Sequence, residues 1–332
     1  VSGETLGTAG ESAVLARIFP RLPTAEVALV GPGDDAAVLR APDGRFVVTT
    51  DTMVHGPDFR RAWSTPYELG WKAAATNLAD VAAMGAVPTA LVVALVAPAE
   101  TPVGDLEALA DGLREACAAL APGCGVVGGD LSVSDTLVVA VTAFGDLQGR
   151  APVLRSGARP GDVVALAGRL GRAATGLRLL FSRGVDEAGA PDAAAARALR
   201  EEEPDALAAQ LAPAPPIAAG PDAARAGATA MLDVSDGLAI DAWRIAESSG
   251  VALDLDAAAI ARIAGPDIDP RVALTGGEDH ALLAAFPPDA VLPAGFAPIG
   301  RVVAGSGLRI DGRGVDERGG WDPYADWDGA VG

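Results

Sequence analysis

Acidic residues that follow apolar, strand-like residues recur along this chain, most of them beside glycine. They stand at Gly33-Asp34-Asp35, Thr49-Thr50-Asp51, Asp80, Gly128-Gly129-Asp130, Asp233-Val234-Ser235-Asp236-Gly237 and Gly276-Gly277-Glu278-Asp279. Carboxylates and hydroxyls are hard oxygen donors. They suit Mg2+, which keeps several waters and bridges carboxylates to substrate phosphates. In Met231–Leu238 a strand ends in acid and turns straight into a helix, where a cation could hold a phosphate against free backbone N–H groups. A single Asp-Gly pair is ordinarily a turn. For Met231–Leu238 alone the simpler assignment is a capped helix, with Ser235 or Asp236 as N-cap. The return of the arrangement in both halves of the chain favours metal-assisted phosphate chemistry.

Apolar periodicity predicts the elements that position these acids. Glu11–Phe19 reads as a short amphipathic helix, and Phe46–Thr50 as a strand ending at Asp51. Pro66 opens a long helix that stops near Gly85, with Pro at a first-turn position where its missing N–H costs little. On that helix Asn77, Asp80 and Met84 share a face, and Asp80 is an unusual acid among alanines. Strands follow at Ala90–Val96, at Gly125–Val127 leading into Gly128-Gly129-Asp130, and at Leu137–Phe144, with a helix at Gly104–Leu120. Arg150–Gly161 is a polar joint, so two domains are expected, 1–149 and 150–332, of α+β or α/β class. Beyond the joint, Val163–Ala167 reads as a strand and Arg172–Phe181 as a helix. Residues 186–212 read as a surface helix with loose ends, broken by Pro213, Pro215 and Pro216. The helix after Asp236 is expected to reach Ser249, with strands at Val251–Leu255 and Gly300–Val303, and a hairpin at Leu308–Gly312.

Charge excludes some partners. The 332 residues carry a formal net charge of −19, which argues against a nucleic-acid backbone as partner. Lys72 is the sole lysine, so no phosphate-binding Gly-x-x-x-x-Gly-Lys loop exists. An acidic protein that handles phosphates needs cations to reverse the local sign. His55 and His280 are the only histidines, which leaves few candidates for imidazole acid–base work; a structural role is the default for each. Zinc-ligand spacing, protein-kinase signatures and a Gly-x-Ser-x-Gly elbow are all absent from the sequence. Cys117 and Cys124 do not form a disulfide framework; they read as buried small residues in a reducing, cytoplasmic setting. No apolar run is long enough for a membrane span, and no basic-then-apolar signal opens the chain at Val1.

Together the motifs are specific. Gly31-Pro32-Gly33-Asp34-Asp35-Ala36-Ala37, Thr50-Asp51-Thr52, Asn77-Leu78-Ala79-Asp80 through Met84-Gly85, Gly128-Gly129-Asp130, Arg155-Ser156-Gly157, Asp233-Val234-Ser235-Asp236-Gly237-Leu238 and Gly276-Gly277-Glu278-Asp279 run in order over nearly the whole chain. On these residues the chain resembles the thiamine-monophosphate kinases, in the superfamily that also holds aminoimidazole ribonucleotide and selenophosphate synthetases. The resemblance implies a two-domain fold whose N-terminal sheet domain binds ATP and Mg2+ and pairs in a homodimer. It implies ATP-dependent phosphorylation of thiamine monophosphate to thiamine diphosphate. By position in the family, Asp35, Thr49, Thr50, Asp51, Asp80, Asp130, Asp233 and Asp236 would hold several Mg2+ ions. Gly129, Arg155 and Ser235 would contact ATP, and Glu278 and Trp321 the thiamine part; Asp130, Asp236 and Arg155 would be catalytic. Three positions depart from the family pattern: Asp58 replaces a substrate-contacting His before Phe59, Ala79 replaces Ser, and His280 replaces a common Tyr.

Another synthetase of the superfamily is the nearest alternative. A selenophosphate enzyme would want a reactive Cys in an N-terminal glycine-rich loop, and no Cys precedes Cys117; a maturation protein would carry a C-terminal Cys. A non-enzymatic metal-binding scaffold is the alternative from a different class. It would not need acids spread over two domains.

Overall fold

The computed structural model describes residues 4–32, 37–315 and 319. Asp34, Asp35 and Trp321 therefore lie outside the described residues. The chain begins with α1 (Leu6–Ala9), α2 (Glu11–Ile18) and a 3-10 turn, then β1 (Ala28–Val30) and β2 (Val38–Leu39). It continues with β3 (Val47–Val54), α3 (Pro66–Ala83), β4 (Val87–Ala97), α4 (Val103–Leu120), β5 (Gly125–Val133) and β6 (Val138–Asp146). After the joint come β7 (Val163–Ala167), α5 (Arg172–Arg183), α6 (Ala193–Glu202), α7 (Pro204–Leu211), α8 (Ala219–Arg225), β8 (Ala230–Val234) and α9 (Leu238–Ser249). The chain then runs through β9 (Ala252–Leu255), α10 (Ala257–Ala264), α11 (Pro270–Thr275), β10 (Ala281–Phe286), β11 (Phe296–Val303), β12 (Gly307–Ile310) and β13 (Arg313–Gly314).

Among the described residues, a four-stranded sheet has the order β3-β6-β4-β5 and a seven-stranded sheet the order β13-β12-β9-β11-β7-β10-β8. The mixed α/β class expected from the sequence is what forms. Helix α3 lies between the two sheets, against β3, β4 and β6 on one side and β8 and β10 on the other. Its composition explains the position. Ala73, Ala74, Ala75, Leu78, Ala79, Val81 and Ala82 are buried all round the helix, the pattern of a helix with no solvent face. Their small side chains let both sheets approach. The helix starts cleanly at Thr65, whose hydroxyl accepts from the Glu68 N–H while the Glu68 carboxylate accepts from the Thr65 N–H.

The outer face of the second sheet is covered by α9, α10 and α11, through Leu232, Val234 and Leu283 against Leu238, Ala242 and Ile260. Helices cover one face of the four-stranded sheet; on the other face the β1–β2 segment covers only the end around Ala90, Val127 and Phe144. Met53, Val93, Leu95, Val139 and Val141 are buried toward the helices, while Val48, Thr50, Thr52 and Asp130 remain exposed. Among the described residues no helix is long and apolar enough to cross a membrane.

Several boundaries differ from expectation. β3 runs on to Val54, so Asp51 sits mid-strand rather than at a strand end. β5 passes straight through Gly128, Gly129 and Asp130, because Gly129 lies where β4 comes too close for a side chain: a Cβ there would be 2.0 Å from the Val93 carbonyl oxygen. The stretch 186–212 is not one surface helix but two, interrupted at Pro204, with Leu199, Leu207 and Leu211 buried against Trp63 and Leu180. The short helices α8, α10 and α11 are absent from the sequence prediction.

Helices α3 and α4 meet backbone to backbone. A Cβ on Gly70 would fall 2.0 Å from the Leu109 oxygen, and one on Gly112 2.0 Å from the Tyr67 oxygen. Gly112→Ala should therefore destabilise the fold by about 2 kcal/mol or more by overpacking. A urea midpoint equal to wild type would disprove the contact.

Candidate active site

Strand periodicity and helix periodicity deliver carboxylates to one seam. The two-residue repeat of β3 turns Thr49, Asp51 and Met53 toward α3, and that of β8 turns Met231 and Asp233 toward the same helix. Asp80 reaches the seam from α3. The Thr49 hydroxyl donates to Asp80 Oδ2 at 3.0 Å. The Asp51 backbone N–H donates to Asn77 Oδ1 at 3.2 Å, and Asn77 in turn donates to the Ala73 carbonyl at 2.9 Å. Asp233, only 5% exposed, accepts from His280 Nδ1 at 3.1 Å.

Negative charge accumulates there. Burial, then Asp233 and Asp51, push the Asp80 carboxyl up to about 7. Asp51 is raised by partial desolvation and then by Asp233. Burial works against a charged His280, but its bond to Asp233 and the charge of that carboxylate outweigh it and move the imidazole upward.

The turn after β8 is tied from within its helix. Asp241 Oδ2 accepts from the backbone N–H groups of Asp236 and Gly237, both at 3.1 Å. Neither Ser235 nor Asp236 caps α9; the N-cap is Gly237, with a φ of 126° that suits glycine. Arg244 bridges Asp241 at 2.6 Å and Asp236 at 2.7 Å. Burial first, against the pull of Arg244, raises Asp241 to about 6.

The loop Gly276–His280 is laced to the same turn. Glu278 N–H donates to the Ser235 carbonyl at 2.7 Å and His280 N–H to that of Val234 at 3.0 Å. Both residues have left-handed backbones, with φ of 70° and 49°. The Asp279 carboxylate accepts from the Ala173 N–H at 2.9 Å and so caps α5 from a distant part of the chain; burial raises it to about 6. Burial also acts against ionised Glu278, but Lys72 overrides it and holds the group below the usual carboxylate range.

Two cavities open from this seam. One, of about 710 Å3, is lined by Thr49, Asp80, Arg155 and Asp233. The other, of about 460 Å3, is lined by Asp58, Arg60, Trp63, Lys72, Ser235 and Glu278. Trp63 and Phe181 meet edge to face at 4.9 Å in its wall, and the Arg60 guanidinium lies 5.8 Å from the Trp63 ring.

Sequence-predicted residues divide accordingly. Thr49, Asp51, Asp80, Arg155 and Asp233 come together, with Ser235, Asp236 and Glu278 on the adjoining turn and loop. Asp58 joins the second cavity, where its carboxylate accepts from the Val54 N–H at 2.6 Å. Thr50 points to the opposite face, donating to the Val141 carbonyl at 2.9 Å. Gly129 and Asp130 lie on β5, at the far edge of the sheet from β3, and line a third cavity of about 740 Å3. Within one chain they stand apart from the cluster, three strand spacings or roughly 14 Å away. Asp35 and Trp321 lie outside the described residues. Sequence reasoning missed Lys72, Asp241 and Arg244. The signal for the first was present: Lys72, Thr76 and Asp80 fall at i, i+4 and i+8 of an alanine-rich helix.

The donor chemistry fits Mg2+. Among the described residues no three His, Cys, Asp or Glu side chains already enclose one metal position. Mg2+ uses few carboxylates and completes its shell with water and substrate phosphate. An open group of carboxylates, among them Asp80 and Asp51 raised first by desolvation and then by neighbouring acids, matches that demand.

Comparison with known proteins decides the family. A family model described as AIR synthase related protein, N-terminal domain, matches residues 33–147. Thiamine-monophosphate kinase of Mycobacterium tuberculosis (strain ATCC 25618 / H37Rv) is 46% identical, over 97% of this chain and 92% of the relative. The chain belongs to the thiamine-monophosphate kinase family. The crystal structure of thiamine monophosphate kinase from Aquifex aeolicus is similar at 31% identity and a TM-score of 0.71, over 83% of this chain and 91% of that one. A solved structure described as AaThiL complexed with AMPPCP and TMP is similar at 29% identity and a TM-score of 0.71, covering 96% and 98%.

The raised Asp80 makes a signed prediction. The folded carboxyl keeps its proton at pH values where the unfolded one, at 3.8, has lost it, so its contribution to stability falls as pH rises toward about 7. In metal-free protein, Asp80→Asn should gain melting temperature relative to wild type between pH 4.5 and 7.5. A constant difference across that range would show that Asp80 titrates normally.

Proposed function

We infer that this chain performs the reaction of its family, the ATP-dependent phosphorylation of thiamine monophosphate to thiamine diphosphate. The carrying observation is the convergence of Thr49, Asp80 and Asp233, from both sheets and the helix between them, on a cavity that also holds Arg155, with Asp51 close enough to act on Asp80. A phosphoryl donor fits that cavity. The acceptor fits the second one, where Asp58 and Glu278 face an aromatic wall. Trp321 is assigned to the acceptor as well.

The acceptor phosphate is already an anionic nucleophile. One of its oxygens attacks the γ-phosphorus in line, the bond from that phosphorus to the bridging oxygen breaks, and ADP leaves. No strong general base is required, in keeping with two histidines. The protein's tasks are positioning and charge. Thr49 and Asn77 fix Asp80 and the Asp51 backbone, and His280 orients Asp233. Asp241 and Arg244 hold the Asp236 turn, and Arg155, Ser235 and Gly129 are assigned to ATP. Asp51, Asp80, Asp233 and Asp236, with Asp35, Thr49, Thr50 and Asp130 in the wider set, would hold Mg2+, which would supply the positive charge that lets two polyanions approach.

We assign residues 1–149 to nucleotide and metal binding and to pairing, and 150–332 to a second domain. The uncovered part of the four-stranded sheet, with Val48 60% exposed beside Thr50 and Thr52, suits a homodimer. A two-fold axis running along the strands would set the β5 edge of one copy over the β3 edge of the other. Asp130 and Gly129 would then approach the β3 edge of the other copy, on the face that carries Thr50 and Thr52.

ADP release should require Mg2+ and thiamine monophosphate, with thiamine and aminoimidazole precursors giving little; release with an aminoimidazole precursor instead would replace this assignment. Asp130→Asn, Asp233→Asn and Asp236→Asn should each lose about 100-fold or more in turnover, with the circular-dichroism spectrum retained. Full activity in any of them would remove that residue from the site. Val48→Asp should convert a dimer to monomer on size-exclusion chromatography, and a monomeric wild type would refute the pairing.

A further inference from the structure

Lys72 is the sole lysine of the chain, and it is buried, with its side chain 8% exposed. A lysine rarely goes inside without a partner. Its ammonium forms an ion pair with Glu278, whose side chain is 40% exposed because it lines the acceptor cavity. A second contact comes from α7. With its amide turned to satisfy both neighbours, Gln210 accepts from Lys72 Nζ at 3.1 Å and donates to the Ala173 carbonyl at 3.0 Å. Both side chains line the cavity, but the cation is nearly enclosed and the carboxylate is the more open of the two.

The backbone under Glu278 is constrained as well. Its φ of 70° is one that side-chain-bearing residues rarely adopt, and Gly277 before it packs so closely on the Ser235 carbonyl that a Cβ would come within 2.5 Å of the oxygen. Such a conformation persists where surrounding contacts over-determine it. Lys72 is the contact that reaches Glu278 from the opposite side of the seam. It also stands eight residues before Asp80 on the same helix face, about 12 Å along the axis, so one rigid element spaces the two cavities.

We propose that Lys72 is a positioning residue for the acceptor: through its ion pair it holds the Glu278 carboxylate toward the aromatic acceptor, and so sets acceptor affinity without touching the phosphoryl donor. The proposal rests on the assignment of the second cavity to thiamine monophosphate. A charge-assisted hydrogen bond aimed in this way corresponds to about 10- to 100-fold in affinity.

The test is calorimetric binding of thiamine monophosphate, and separately of a non-hydrolysable ATP analogue with Mg2+, to full-length wild type, Lys72→Met, Glu278→Gln and the double variant. Lys72→Met should bind thiamine monophosphate at least about tenfold more weakly and the nucleotide within about twofold of wild type. The double variant should bind the acceptor no more weakly than Glu278→Gln alone, because the lysine acts only through that carboxylate. Acceptor binding unchanged in Lys72→Met, equal loss for both ligands, or multiplicative losses in the double variant would each overturn the proposal. If Lys72→Met shows no cooperative melting transition, Lys72→Gln, which keeps a hydrogen-bonding group beside Gln210, is read by the same criteria. Wild type that fails to bind thiamine monophosphate would overturn the acceptor assignment itself, an outcome distinct from wild-type binding that Lys72 does not influence.

Discussion

Mutual repulsion among Asp51, Asp80 and Asp233 is the constraint on which the arrangement of this protein turns. Three carboxylates crowded where two sheets face one helix would separate if their carriers could move. They cannot, because each carrier is fixed for reasons unrelated to charge. β8 is wedged against α9 and β10, α3 is enclosed on both sides, and β3 is paired along its length with β6. Hydrophobic burial over such elements, at about 25 cal/mol for each Å2 removed from water, outweighs the electrostatic cost. The site is therefore held open for positive charge by packing forces that do not act on the site itself.

Helix α3 carries most of that burden. Its apolar surface joins the sheets, and three of its polar residues have a task at the seam. Asn77 supports the backbone of Asp51, Asp80 enters the carboxylate group, and Lys72 faces the loop of the second sheet. Fixing these on one rigid element makes their spacing a property of helix geometry, not of loop conformation. The alanines are as necessary as the polar residues, since larger side chains would push the sheets apart and draw Asp51 away from Asp233.

The sequence showed the chemistry more readily than the geometry. Acids after apolar runs were visible as a repeated pattern, and the fold class followed from alternating helical and strand periodicity. Strand lengths were not legible. Gly128-Gly129 looks like a break, yet it is the price of close approach by a neighbouring strand, which no local pattern reveals. The cap of α9 was misassigned because Asp241 bonds backward into the turn, whereas local rules favour Ser235 or Asp236. Asp279 was grouped with the metal-binding acids, but it spends its carboxylate on the start of α5, a residue distance of more than one hundred that only the folded chain can show. Asp130 shows another limit, since its placement at the far sheet edge depends on strand order, and strand order is not written in any one strand.

Strand β10 occupies the interior of the seven-stranded sheet, between β7 and β8, although it is among the later strands to be made. A ribosome therefore releases β7 and β8 with a gap between them, and Asp233 on the rim of that gap. Closing it delivers the loop that carries Glu278, Asp279 and His280 at the same instant that it completes the sheet. Assembly of the second cavity is in this way tied to the insertion of β10, and a polypeptide not yet extended past Phe286 lacks that loop in its place.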